Sequence, residues 1–166
     1  VPDTAEALAV PGTDPASAAP VWLLREAEVA EWRAVQPAAL SAWVAAHDFR
    51  GERQRTLILP GEGGKPGGAV VGLGNLAAIE LLSPWAVSGL PEKLPVGTYR
   101  LLCGAAGGEL PKVPSDHALL GWLAGALRPA TLRAQGPAPG SRPRLLPPPL
   151  SDVAAVVTQA RAAAWA

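Results

Sequence analysis

The residues best placed to do chemistry are Gly72-Leu73-Gly74-Asn75-Leu76-Ala77, which spell G-x-G-x-x-(G/A) after the apolar run Gly68 to Gly72 and before a helical pattern. In that setting glycines let a turn approach a dinucleotide pyrophosphate, and a helix N-terminus meets its charge. The fingerprint also needs a carboxylate for the ribose hydroxyls at the end of the next strand, about 20 residues on. That strand is predicted as Thr98 to Cys103, and it ends in Cys103-Gly104 with no acid. Glu92 has roughly the right offset but lies in a loop between Pro91 and Pro95. The glycines are therefore read as a tight strand-to-helix turn, with a nucleotide-binding module kept as the second hypothesis.

The other reactive residues do not assemble into a recognisable centre. Lys65 sits in a Gly-rich loop, but Pro66 and a strand follow it, whereas a phosphate loop runs from a strand into a helix. Ser115-Asp116-His117 contains the letters of a catalytic triad, yet a triad draws its members from different elements; these three read as a helix cap. His47, His117 and Cys103 fall on separate elements without metal-ligand spacing. Glu26, Glu28 and Glu31 read as a solvated helix face, and Tyr99 as half-buried on a strand. Catalytic, cofactor-binding and metal-binding residues are accordingly assigned to none of the positions.

The totals narrow the function classes further. A chain of 166 residues suits one domain, and folding at that size buries about 70% of the extended-chain surface. Fourteen basic and 14 acidic residues cancel, so no net field draws the protein to nucleic acid or anionic membrane. The clusters Arg50, Arg53, Arg55 and Arg128, Arg133, Arg142, Arg144 read as solvated charge. One cysteine excludes a disulfide framework and points to a reducing compartment. The longest apolar run, Ala118 to Leu127, falls short of the roughly 18 residues that argue for a membrane span. No secretory signal opens the chain, and a cytoplasmic protein is expected.

The elements that would position these residues read as α/β. Residues 1–20 are predicted as a flexible arm or short edge strand. Val21 to Leu24 reads as a strand, Glu26 to Gln36 as a helix on Val29, Trp32 and Val35, and Pro37 as opening a second helix on Leu40, Trp43, Val44 and His47. Thr56 to Leu59 and Gly68 to Gly72 are predicted as antiparallel neighbours joined by a short Gly-rich turn, the second of them central and buried on both faces. Leu76 to Leu82 reads as a helix, followed by a piece capped by Ser83 that carries Trp85 and Val87.

Ser115 or Asp116 is predicted to cap the next helix, with Leu119, Leu120, Leu123 and Leu127 as its stripe. Gly121 and Gly125 give that helix a small face for close packing by another backbone, and Pro129 ends it. Gly136 to Pro149 reads as a proline-dense surface crossing with a short edge strand at Arg144 to Leu146. Residues 151–166 form a helix on Val153, Val156, Val157, Ala160 and Ala164, with no glycine or proline stop before Ala166. Position 1 is Val rather than Met, so the amino terminus is expected to be processed, trimmed or renumbered, and the uncapped final helix is expected to mark a piece of a longer protein. Six tryptophans are expected as core or interface anchors.

In their order and spacing, several segments resemble the N-terminal domain of the M17 leucyl (cytosol) aminopeptidase family, especially its bacterial branch. They are Phe49-Arg50-Gly51-Glu52 before Leu57-Ile58-Leu59-Pro60, Ala69 to Gly74, Pro84-Trp85-Ala86-Val87-Ser88-Gly89-Leu90-Pro91, Gly97 to Leu101, and Ala118 to Arg128. The resemblance implies a macro-domain-like three-layer α/β fold at 21–150, a mixed β-sheet flanked by helices. It makes 151–166 a linking helix toward a separate catalytic domain. It further implies a parent exopeptidase that removes N-terminal residues, assembles as a hexamer, and holds two divalent metal ions (Zn or Mn) in that second domain. The N-terminal domain would shape assembly and access to the active sites. The family's Asn-Thr-Asp-Ala-Glu-Gly-Arg signature does not occur here, so no catalytic or metal residue carries over. Macro domains elsewhere bind ADP-ribose, but the resemblance does not bring that pocket with it.

Overall fold

Strand β1 (Ala19–Leu24) lies in the middle of the sheet and pairs in parallel with β3 (Pro66–Gly72) on one side and β4 (Thr98–Cys103) on the other. The computed structural model describes residues 4–127 and 142–164. Two further strands complete the order β2-β3-β1-β4-β5: β2 (Thr56–Pro60), antiparallel to β3, and β5 (Arg144–Leu145), parallel to β4. The short turn between β2 and β3 imposes their antiparallel pairing, as the sequence predicts. The predicted Gly68–Gly72 run is buried at every position, but β1, not β3, is the middle strand.

Alternation along the strands separates two cores. Val21, Leu23, Ala69, Val71, Tyr99 and Leu101 face α5 (Lys112–Ala126), α6 (Val153–Ala164) and the segment from Leu82 to Leu94. Trp22, Leu24, Val70, Leu57 and Leu59 face α2 (Val29–Ala34) and α3 (Ala38–Ala46), where Trp32, Val44 and Phe49 fill the layer. The result is a mixed five-stranded sheet between helices, the α/β class expected. Tyr99 is fully buried instead of half-buried. Its hydroxyl donates to the Pro95 carbonyl at 2.6 Å, and burial pushes its pKa up to about 12.

Four local expectations need correction. Residues 4–20 are not an isolated arm: α1 (Thr4–Ala7) docks on α5 through the Trp122 indole, which donates to the Ala7 carbonyl at 2.9 Å. Leu76 to Leu82 is not a helix but an extended crossing with a 3-10 turn at Ile79–Leu81, held at both ends by side chains from elsewhere in the chain. Arg25 donates to the Ala77 oxygen at 3.1 Å, and His117 Nδ1 hydrogen-bonds the Leu82 oxygen at 2.7 Å. Helix α5 starts at Lys112, before Ser115, since Pro114 falls in the first turn, where a missing N–H leaves no bond unmade. In α2 and α3 the predicted stripes are only partly buried: Val35 and Trp43 are exposed. A short helix not anticipated from sequence, α4 (Leu90–Lys93), precedes β4. Pro129, Arg128, Arg133, Trp165 and residues 136–141 of the proline-rich stretch lie outside the described residues.

The predicted small face of α5 is used for close backbone packing. A Cβ at Gly121 would overlap the Pro84 carbonyl oxygen, and one at Gly125 the Ser88 oxygen. Gly125→Ala is therefore expected to destabilise the fold by about 1–3 kcal/mol, whereas Ala124→Ser, one residue away on the exposed side, should cost only the roughly 0.5 kcal/mol of its lower helix propensity. Thermal unfolding checks this; equal midpoints for Gly125→Ala and the parent would contradict the packing.

Candidate functional site

In open α/β sheets ligands sit beyond the carboxyl ends of the parallel strands, and here the ends of β1, β3 and β4 share one edge. A phosphate cradle at that edge needs backbone N–H groups free to point at the anion. Four at the strand ends are engaged internally. Gly72 N–H donates to the Arg55 oxygen, Leu73 to Leu24 and Gly74 to Gly51, each at 2.8 Å, while Gly104 donates to Leu23 at 3.2 Å. A Cβ at Gly72 would overlap the Glu52 oxygen, and Gly74 has φ +65°. These glycines serve close packing of the 51–55 loop against the strand end. No helix follows them.

Charged groups at this edge pair with one another. The Arg25 guanidinium donates to Glu28 Oε1 from Nη2 at 2.8 Å and from Nε at 3.1 Å, and the Arg25 N–H to Oε2 at 2.9 Å. Glu28 thus caps its own turn, in contrast to the solvated face predicted. Burial alone would raise the Glu28 pKa, but the side-chain and backbone bonds from Arg25 outweigh it and hold the carboxyl below its usual value. At the end of β4, burial pushes the Cys103 thiol up, with Glu28 and Glu80 adding to the shift. A thiol so placed is a poor nucleophile.

The remaining residues singled out from sequence diverge. Ser115 donates to the Leu110 oxygen at 2.9 Å, Asp116 accepts from Lys112 and from the Asp152 N–H at the start of α6, and His117 binds the Leu82 oxygen. Asp116 caps no turn of its own helix but anchors Asp152, whose carboxylate caps α6 by accepting the Ala155 N–H at 3.1 Å. His47 stacks on Trp43 with ring centroids 4.3 Å apart. In the 50–55 loop, Arg50 pairs with Asp48 and Arg55 with Glu52. Lys65 lies exposed in the β2–β3 turn.

The concave surface lies to one side of the sheet edge. Two adjoining hollows of about 160 and 330 Å³ share Gln54 and Ala86 and run from Asn75 and Leu76 past Ser83 to Thr56 and Lys93. Leu81 and Trp85 stand on the rim, 62% and 64% exposed. Trp85 belongs to a 3-10 turn, Pro84–Ala86, whose cap Ser83 accepts the Trp85 N–H at 3.3 Å and whose successor Val87 is buried. Sequence reading missed this groove. The available signal was that a three-residue turn between Pro84 and Val87 cannot bury both Trp85 and Val87.

The family model for the M17 aminopeptidase N-terminal domain matches residues 19–139, from the start of β1 beyond the end of α5. The chain belongs to that family. Among solved structures it is similar to the cytosol aminopeptidase of Coxiella burnetii, with a TM-score of 0.64 and 20% identity over 92% of this chain and 30% of that one. It is also similar to a mutant of tomato leucine aminopeptidase, with a TM-score of 0.52 and 13% identity over 96% of this chain and 35% of the other. At these identities the likeness concerns the fold. The chain spans about a third of the length of either neighbour, and no curated protein matches it. The groove residues, from Arg53 to Lys93, all fall inside the M17 match. Among the described residues of this M17 domain no three His, Cys, Asp or Glu side chains converge as a metal site, and no helix is long and apolar enough to cross a membrane.

Because the Glu28 carboxyl titrates below its unfolded value, its contribution to stability is complete above about pH 4.3, the unfolded pKa. It is lost as pH falls through the folded pKa. Glu28→Gln should lower the denaturant midpoint at pH 7, and the gap to the parent should close toward pH 3. A gap that stays constant with pH would contradict the Arg25–Glu28 account.

Proposed function

We propose that this chain is the non-catalytic N-terminal domain of a metal-dependent leucyl aminopeptidase, contributing to assembly and to active-site access. The observation that carries the reading is the M17 N-terminal match over residues 19–139. It is joined by a fold likeness to about one third of two longer aminopeptidases. The scattered partners of Ser115, Asp116, His117 and Cys103 agree with a domain whose chemistry is supplied elsewhere. In this reading α6 links toward the catalytic domain, which holds two divalent ions, Zn or Mn, and removes N-terminal residues from peptides. The parent works in the cytoplasm as a homo-oligomer, a hexamer in the family pattern, independent of membrane and nucleic acid.

The other reading, a macro-type module for a nucleotide or ADP-ribose, has Gly72-Leu73-Gly74 at the sheet edge in its favour. The internal engagement of those N–H groups counts against it.

Hydrolysis of leucine p-nitroanilide with Mn²⁺ or Zn²⁺ tests the first reading. Residues 1–166 should be inert, while the complete natural polypeptide should carry carboxylate and lysine metal ligands beyond them and lose activity to a chelator. Hydrolysis by residues 1–166 themselves, or a natural polypeptide without such ligands, would overturn it.

A further inference from the structure

We propose that residues 4–9 are a latch on α6: lifting this segment from the β5 edge frees α6, while the rest of the sheet and the α2–α3 layer stay folded. The latch itself needs nothing from the reading above. Its consequence rests on that reading, since the helix it holds is the one assigned there as the link to the catalytic domain.

Three elements hold the segment. Leu8 bridges Leu145 in parallel, and the Ala9 N–H donates to the Leu145 oxygen at 2.8 Å, so the chain lies along β5 as an outermost strand one bridge long. The Trp122 indole of α5 donates to the Ala7 carbonyl at 2.9 Å. Arg161 of α6 donates from Nη2 to the Thr4 hydroxyl at 2.8 Å, across 157 positions of sequence. Thr4, Ala7, Trp122 and Leu145 are all buried. Lifting the segment therefore breaks three bonds together and takes from a buried indole N–H its partner, which makes the closed state the resting one.

Helix α6 depends on the closed latch. It is pinned at its start by Asp116, which accepts the Asp152 N–H at 2.7 Å, and near its end by Thr4 through Arg161. Between those pins Val156 and Ala160 are its buried residues, against nine in α5, and Arg161 to Ala164 are exposed. A helix of 12 residues has little stability of its own. With so little buried, α6 belongs among the segments that open well below the free energy of global unfolding.

The rest of the sheet does not share this dependence. The latch bonds end on β5, α5 and α6, and none of them reaches β2, β3, α2 or α3. The latch also joins the two flanks of the family domain: residues 4–9 precede the match over 19–139, whereas β5 and α6 follow it. Whatever removes or displaces residues 4–9 thereby loosens a helix at the other end of the chain.

Amide hydrogen exchange of the complete natural polypeptide, read by mass spectrometry on peptides from residues 4–9, α6 and the β2–β3 pair, tests the latch. Thr4→Val removes the hydroxyl at nearly constant shape, and Ala9→Pro removes the N–H given to Leu145 without touching α6. Each should speed exchange over residues 156–164 about tenfold, the effect of losing a hydrogen bond to a charged group, and leave β2–β3 within about twofold of the parent. Coupling is reciprocal, so Arg161→Ala should speed exchange in residues 4–9. Exchange in α6 that either Thr4→Val or Ala9→Pro leaves unchanged, or residues 4–9 unmoved by Arg161→Ala, overturns the latch. Acceleration of β2–β3 to the same degree as α6 overturns it too, because the segment would then be part of one common core. These results leave the reading above intact, which fails separately if the natural polypeptide carries no metal ligands beyond residues 1–166.

Discussion

The parallel pairing of β1 with β3 and β4 is the interaction on which the rest depends. It places a strand with Val21 and Leu23 on one face and Trp22 and Leu24 on the other at the middle of the sheet, so both helical layers are obligatory. A strand with one face left bare would expose large apolar side chains at the centre of the domain. Everything else follows from covering these faces. Helices α2 and α3 lie over one side, and α5 with α6 and the 79–94 crossing over the other.

That covering also decides what happens at the carboxyl ends of the strands. For α5 to sit close to the 84–88 segment, Gly121 and Gly125 must lack side chains. For the 51–55 loop to close over β3, Gly72 must do the same, while Gly74 supplies the positive φ of the turn that follows. The loop then takes the Gly72 and Gly74 N–H groups and β1 takes those of Leu73 and Gly104, which a nucleotide-binding fold would leave free. Glycine at a strand end therefore has opposite meanings in two α/β designs: room for a ligand in one, room for the protein's own backbone in the other. Only the identity of the approaching oxygen separates them, and here it belongs to Glu52.

Much of the framework was legible from residue patterns. The boundaries of β4, the antiparallel β2–β3 pair, the α6 start at Asp152 and the small face of α5 all follow from local signals such as short turns, apolar spacing and small residues at i, i+4. What escaped was non-local. Arg25 and His117 bind carbonyls 52 and 35 residues away in a segment whose periodicity favours a helix and which runs extended into a 3-10 turn. Asp116 looks like a cap of its own helix and instead holds the N–H of Asp152, the α6 cap 36 residues later. The groove was invisible for the same reason: Gln54 and Thr56 share a hollow with Trp85 and Lys93 only once the chain has folded.

Amide hydrogen exchange at Gly72, Leu73, Gly74 and Gly104 tests most directly the claim that the sheet edge is closed by its own backbone. Slow exchange in the ligand-free protein, unchanged by millimolar ADP-ribose or NAD, is the result this account predicts. Fast exchange that slows when either compound is added would contradict it.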